Sequence, residues 1–154
     1  MKVAIGQDSH RIDYNNKEKK LMLGGIEFFE EYSLSGNSDA DVVLHAITNA
    51  VSGITCKNII GKVSDDMCKN GITDSEEYLK DALKYLDSKI VHLSISIECL
   101  VPKISPKIDE MRNNIAKILN ISENQIGITA TTGEGLTEFG KGNGISVFCI
   151  ITVE

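Results

Sequence analysis

Val91-His92-Leu93-Ser94-Ile95-Ser96-Ile97-Glu98-Cys99-Leu100-Val101 alternates apolar and polar side chains along its length. A period of two sends Val91, Leu93, Ile95, Ile97, Cys99 and Val101 to one face and His92, Ser94, Ser96 and Glu98 to the other, the pattern of a half-buried strand. Just beyond it, Ser105-Pro106 supplies a cap followed by proline at the first helical position. Ile108, Met111, Ile115 and Ile118/Leu119 then recur at helical spacing, and Ile126 to Ala130 is a second strand. A strand, a helix and a strand in this order predict a two-layer α/β (α+β) fold, a mixed sheet with helices packed on one face.

The rest of the chain extends that pattern. Residues 2–5 read as a strand, followed by a polar loop through Asn15-Asn16-Lys17. Leu21-Met22-Leu23 and Ile26-Glu27-Phe28 flank Gly24-Gly25, a hairpin signal. A helix is expected to start near Ser38, with Asp41 as the partner of a capping-box-like pair. Its apolar stripe is Val43, Ile47, Ala50/Val51 and Ile54. Asp41, His45, Asn49 and Ser52 form a polar stripe, so His45 is expected to look into a cleft with Asp41 and Asn49 as neighbours. Residues 55–73, which hold Gly61 and Gly71, lack periodicity and read as a loop. A further helix is expected over Ser75–Ser88. Ile145–Val153 closes the sheet with apolar residues on both faces, Phe148 and Ile150 opposite Val147, Cys149 and Ile151. Helices cover one face of such a sheet, so the other predicts a partner subunit.

Composition narrows the function. The 154 residues are 42% hydrophobic and 25% charged, with a net charge of −6, which suits one globular domain spanning residues 1–154. The basic footprint of a nucleic-acid binder is missing. No signal peptide is recognisable and no apolar run reaches about 18 residues, so a cytoplasmic protein without a membrane span is expected. Cys56, Cys68, Cys99 and Cys149 form no C-x-x-C, which points away from a zinc ribbon or redox dithiol.

Two segments carry chemistry. Asp8-Ser9-His10 places a carboxylate and an imidazole on one face of a strand. His45, from Ser38-Asp39-Ala40-Asp41-Val42-Val43-Leu44-His45, would complete a two-histidine, one-carboxylate set. Catalytic zinc takes three protein ligands and keeps one position open; a nonheme iron site uses the same residue types. Alone, D-x-H also arises by chance as a surface Asp and a loop His. Thr129-Ala130-Thr131-Thr132-Gly133-Glu134-Gly135 offers hydroxyls and N–H groups to phosphates, and Glu134 could hold a hard cation; an ordinary polar turn is the alternative. His92 is given no role.

Taken together, these tracts resemble the 2-C-methyl-D-erythritol 2,4-cyclodiphosphate synthase family. The shared elements are Asp8-Ser9-His10, Leu23-Gly24-Gly25, Ser38-Asp39-Ala40-Asp41 through His45-Ala46, Pro102-Lys103, Met111-Arg112, and Ala130-Thr131-Thr132 with Glu134, Leu136, Gly140 and Gly142. The resemblance implies a homotrimer with active sites between neighbouring subunits. It implies zinc at Asp8, His10 and His45, magnesium or manganese at Glu134, and Thr132 counted with the catalytic set. The nucleotide of a CDP-ester substrate would lie against Pro102, Lys103, Ile104, Ser105, Ala130, Thr131 and Thr132. The substrate's 2-phosphate attacks the β-phosphorus and expels CMP.

Departures fall on the polyol side. Asn37 replaces the family's histidine, and the ungapped position of its polyol-gripping acid is Ile59. Ser64-Asp65-Asp66-Met67-Cys68 replaces a proline-rich acidic tract. Thr137-Glu138-Phe139-Gly140-Lys141 replaces a tract ending in arginine, which leaves Lys141 as a candidate anion site in a central cavity. The substrate-binding candidates are therefore Asn37, Ser38, Gly61, Asp65 and Asp66, with Asn58 available if the register slips. If Ile59 marks a lost anchor, an acid installed there should raise turnover. Two alternatives stand beside the cyclase: an enzyme of the same fold acting on another phosphorylated CDP-ester, and a non-catalytic trimer that binds nucleotides or isoprenoids.

Overall fold

The computed structural model describes all 154 residues. The strands are β1 (Lys2–Asp13), β2 (Leu21–Leu23), β3 (Ile26–Phe28), β4 (Ser33–Leu34), β5 (Ile90–Glu98), β6 (Ile126–Thr131) and β7 (Gly144–Val153). The helices are α1 (Val42–Thr55), α2 (Lys62–Lys69), α3 (Ser75–Leu83) and α4 (Ile108–Leu119). Five strands form one sheet in the order β4-β1-β7-β5-β6, and β2 pairs with β3 in a separate hairpin. Only β5 and β6 run parallel; a parallel pair needs a crossover, and α4 provides it. The expected mixed sheet is present.

The alternation that decides the fold is kept through Cys99, although β5 ends at Glu98, short of the expected Val101. Leu93, Ile95, Ile97 and Cys99 are buried, while His92, Ser94 and Ser96 are exposed. The buried side joins Val147, Cys149 and Ile151 of β7 and the apolar faces of α1 and α4 in one core. The opposite side of the sheet carries apolar groups in the open: Val3 and Ile5 are 63% and 61% exposed, Phe148 and Ile150 42% and 45%. Ile5 faces Ile150 across the β1–β7 ladder, so these side chains form one patch.

β1 lies against α1 more closely than a side chain allows. A Cβ on Gly6 would collide with the Ala46 carbonyl and the Ala50 amide. Glycine at that point sets the spacing between the strand bearing Asp8 and the helix bearing His45.

Several boundaries differ from expectation. β1 runs to Asp13 rather than residue 5, because its ladder with β7 continues from Lys2 to Arg11 through polar residues. α1 starts at Val42, not near Ser38. Ser38 instead accepts a bond from the Ala40 N–H at 3.0 Å, Ala40 has φ 57°, and Asp41 is the cap, accepting from Leu44 N–H at 3.0 Å. The stretch expected as loop contains α2, which buries only Ser64 and so has no apolar stripe to announce it. α3 ends at Leu83, where Tyr85 and Leu86 turn back onto the Ala82 and Leu83 carbonyls. A single tight turn at Ser105–Lys107 precedes α4. The Gly24-Gly25 hairpin forms as read, both residues having positive φ (66° and 75°), as a two-residue hairpin turn of this kind requires.

Candidate functional site

Even-numbered residues of β1 face the helices, so Asp8 and His10 point at α1, where His45 sits one helical turn in. His10 Nε2 lies 2.9 Å and His45 Nδ1 3.1 Å from Asp8 Oδ2, and the two ring nitrogens are 3.3 Å apart. His45 is buried, and Asp8 and His10 are half-buried. Burial alone would raise the Asp8 carboxyl, but the two imidazoles outweigh it and bring it down to about 2. Burial also opposes a charged His10, yet Asp8 beside it holds its pKa above the ordinary value.

The donor set fits a small divalent ion. Bonds of about 2.0–2.1 Å to tetrahedral ligands separate those ligands by about 3.3 Å, close to the spacings found here. The orientation of His10 supports this. Its Nδ1 lies 2.8 Å from the Ser35 carbonyl, which only accepts, so Nδ1 carries the proton. In the neutral ring Nε2 then turns its lone pair toward Asp8. Ser35 is in turn held from both sides, because Lys19 Nζ donates to the Leu34 and Gly36 carbonyls at 2.8 and 3.1 Å. The outer nitrogen of His45 faces Ser75 Oγ at 2.7 Å.

This neighbourhood differs from the expected one. Asp41 and Asn49 are not partners of His45. Asp41 is fully buried and accepts from the Gly24, Gly25 and Leu44 N–H groups, and burial pushes its carboxyl up to about 6. Asn49 donates to the Gln7 carbonyl at 2.9 Å. Lys19, Asp39 and Ser75 carry contacts the sequence reading did not anticipate. The sequence marks Ser75 only as a helix start and gives Lys19 no part.

A second cleft, of about 440 Å³, lies at the far side of the sheet. Pro102, Lys103, Ile104, Ser105, Ala130, Thr131 and Thr132 all line it, together with Cys99, Leu100 and Pro106. Ser9, Ser146, Glu98 and Thr131 form one row across β1, β7, β5 and β6. The metal corner and this cleft are therefore at the same end of the sheet, about three strand spacings or 14 Å apart. Glu134 is exposed in the loop after β6 with φ 54°, between Gly133 and Gly135, and does not join the Asp8–His10–His45 cluster.

The polyol-side candidates separate. Ile59 is 3% exposed and part of the core, so its position is not on a pocket wall. Asp66 turns to Lys62 at 2.9 Å on the surface, and Lys141 pairs with Glu138 at 3.3 Å. Ser38 is buried, with its hydroxyl oxygen engaged by the backbone. Gly61 caps α2 with φ 123°. Asp65 and Asn37 meet at the surface, the carboxylate accepting from the Asn37 amide at 3.2 Å. Asn37 follows Gly36, where a Cβ would come within 3.4 Å of His10.

A YgbB family profile matches residues 1–154. The chain belongs to the YgbB family. A 2-C-methyl-D-erythritol 2,4-cyclodiphosphate synthase from Chlamydia muridarum is 49% identical over 99% of this chain and 87% of its own length. Among solved structures, an IspF from Plasmodium falciparum in complex with CDP is 27% identical, with a TM-score of 0.81 over 98% of this chain and 94% of that one. A 2C-methyl-D-erythritol-2,4-cyclodiphosphate synthase structure, 24% identical, shares the fold at a TM-score of 0.87 over 99% of this chain and all of that one. As a YgbB member the chain is an enzyme with a mixed α/β fold. None of its helices is long and apolar enough to cross a membrane.

Proposed function

We propose that this protein is the cyclase that converts 4-diphosphocytidyl-2-C-methyl-D-erythritol 2-phosphate into 2-C-methyl-D-erythritol 2,4-cyclodiphosphate and CMP. The observation that carries the reading is the convergence of Asp8, His10 and His45 within 3.3 Å of one another. In the reaction an oxygen of the 2-phosphate forms a bond to the β-phosphorus. The bond from that phosphorus to the bridging oxygen breaks, and CMP carries the electron pair away, so the step is an intramolecular displacement at phosphorus, the cyclising, CMP-releasing reaction of a phosphorus–oxygen lyase.

Nucleophile and target are both anionic, and the chain's net charge of −6 cannot screen them. Asp8, His10 and His45 would hold zinc and Glu134 magnesium or manganese, and these two ions would supply positive charge to the phosphoryl oxygens. The protein's own part is positioning. Pro102–Ser105 and Ala130–Thr132 hold the nucleotide, Thr132 stands nearest the loop of Glu134, and Asp65 with Asn37 meets the polyol. One chain's metal corner and nucleotide cleft are about 14 Å apart along the sheet. A homotrimer that sets one subunit's metal corner against its neighbour's cleft would bring the two together. The open patch of Val3, Ile5, Phe148 and Ile150 supports such an assembly, and a cytoplasmic location follows from the same reading.

A second reading, the same fold acting on another phosphorylated CDP-ester, is favoured by one feature: the polyol side carries Asn37 and Asp65, paired with each other at 3.2 Å, and Ile59 lies in the core. Phosphorus NMR on the zinc- and magnesium-supplied protein decides between them. The cyclic diphosphate and CMP in equal amounts are expected. CMP released only from a different CDP-ester would favour the second reading, and binding without release would leave a nucleotide-binding protein. Sedimentation should give a trimer; a stable monomer at micromolar concentration would contradict the intersubunit site.

A further inference from the structure

Behind His45 stands a pair of residues to which the proposed chemistry assigns no task. Ser75 is fully buried at the first position of α3, with its Oγ 2.7 Å from His45 Nε2. The same hydroxyl donates to the Asp39 carboxylate in a short bond, and the Ser75 N–H donates to that carboxylate at 3.1 Å. Asp39 also receives the Asp41 N–H at 3.1 Å, and its own N–H is tied to the Thr73 carbonyl at 2.9 Å. It is thus bound to the approaches of α1 and α3 at once.

Counting protons leaves one arrangement. An ionised carboxylate only accepts, so the single hydroxyl proton of Ser75 goes to Asp39. Toward His45, Ser75 Oγ is then an acceptor, and Nε2 must bear the hydrogen. In a neutral imidazole this leaves the lone pair on Nδ1, the nitrogen that faces Asp8 and His10.

We propose that Asp39 and Ser75 are positioning residues of the metal corner, a carboxylate–hydroxyl relay that fixes the ring orientation and tautomer of His45 so that Nδ1 is presented to the metal. The relay makes the start of α3 part of the site. It rests on the metal reading above and adds to it a dependence that the three ligands alone do not impose. Groups placed behind a ligating histidine are worth about 10- to 100-fold in metal affinity.

The test is a zinc competition titration against a chromophoric chelator, on the wild type and on Ser75→Ala, Ser75→Thr, Asp39→Asn and His45→Ala. Ser75→Ala should bind zinc about 10- to 100-fold more weakly, and Ser75→Thr, which keeps the hydroxyl, should recover most of the loss. Asp39→Asn should also weaken zinc binding. Its amide oxygen takes the place of Oδ1, which accepts from both Ser75 Oγ and the Asp41 N–H, so its NH2 is set against the Ser75 N–H and loosens the relay. A merely structural Ser75 would instead lower the thermal midpoint of the metal-free protein and leave zinc affinity alone. Wild-type affinity in Ser75→Ala, with affinity lost in His45→Ala, overturns the relay and spares the metal site. Wild-type affinity in His45→Ala overturns both. Should Ser75→Ala fail to fold, nitrogen-15 imidazole spectra of the zinc-loaded wild type decide: zinc on Nδ1 and a proton on Nε2 are expected, and zinc on Nε2 overturns the proposal.

Discussion

At the Asp8–His10–His45 corner both histidines are held from behind, while α2 is joined to the neighbouring loop through the exposed Asn37, by Asp65 and by the Cys68 thiol. His10 is backed by the Ser35 carbonyl, and the two carbonyls flanking Ser35 are held by Lys19. His45 is backed by Ser75, buried in the core. By contrast α2 buries only Ser64, and Asp65 is exposed and joined through one amide bond to an exposed Asn37. The difference shows how such a protein divides its work. Chemistry that needs ligands placed to a few tenths of an ångström is set between a strand and a long helix. On the proposed reading, recognition of the polyol falls on a short helix that buries only Ser64.

The hardest blow to that contrast is struck at the rigid side. His45→Ala should reduce bound zinc to background and lower CMP release by at least about three decades, or about 4 kcal/mol of lost charge stabilisation. Metal analysis with a turnover assay measures both, and retained zinc would remove His45 from the site. Next comes Ile59→Asp. The side chain is 3% exposed, so a carboxylate there should cost several kcal/mol of stability and lower the melting temperature. This reverses the expectation drawn from sequence, in which an acid at 59 restored a lost anchor; higher turnover in a well-folded Ile59→Asp protein would reinstate it.

On the adaptable side, Asp65→Asn should lower kcat/KM by about one to two decades, the worth of a charge-assisted hydrogen bond of about 1.5–3 kcal/mol. CDP affinity and metal content should not change. An unaltered kcat/KM would shift polyol recognition away from α2.

The smallest effect concerns two carboxylates near the corner. In Asp8 the folded pKa, about 2, is below the ordinary 3.8, so its contribution to stability is present above 3.8 and is lost as pH falls through 2. Asp41 is shifted the other way, to about 6. Between pH 3.8 and 6 the unfolded chain releases a proton that the folded one retains, so stability from this group falls as pH rises through that window. Denaturant titrations of the metal-free protein should show Asp41→Asn flattening the slope there by up to about one proton. His10, raised above 6.5, acts only at higher pH. An unchanged slope in Asp41→Asn would mean that its three backbone N–H bonds offset its burial.

The sequence made the corner legible because its ligands lie on elements with clear periods. Two residues apart on a strand means one face, and His45 belongs to a helix whose Val43, Ile47 and Val51 are unmistakably apolar. The cleft of Pro102–Ser105 and Ala130–Thr132 was legible through the family resemblance alone; the structure adds that both segments leave adjacent parallel strands at the same end. What stayed hidden has no period. α2 is held by charge and capping rather than by an apolar stripe. Ser75 and Lys19 act through contacts with residues 30 and 15–17 positions away, and no local pattern marks such partners. Asp41 misled because its spacing from His45 is helical, while its carboxylate is committed to the Gly24-Gly25 hairpin.

Gly6 has a genetic consequence. Every other amino acid brings a Cβ, and that atom would strike the backbone of α1 at Ala46 and Ala50. All missense alleles at this codon therefore share one lesion: they push the strand from the helix and draw Asp8, two residues along the same face, away from His45. A screen for loss of function would return codon 6 beside those of Asp8, His10 and His45, although Gly6 brings no side chain to their cluster.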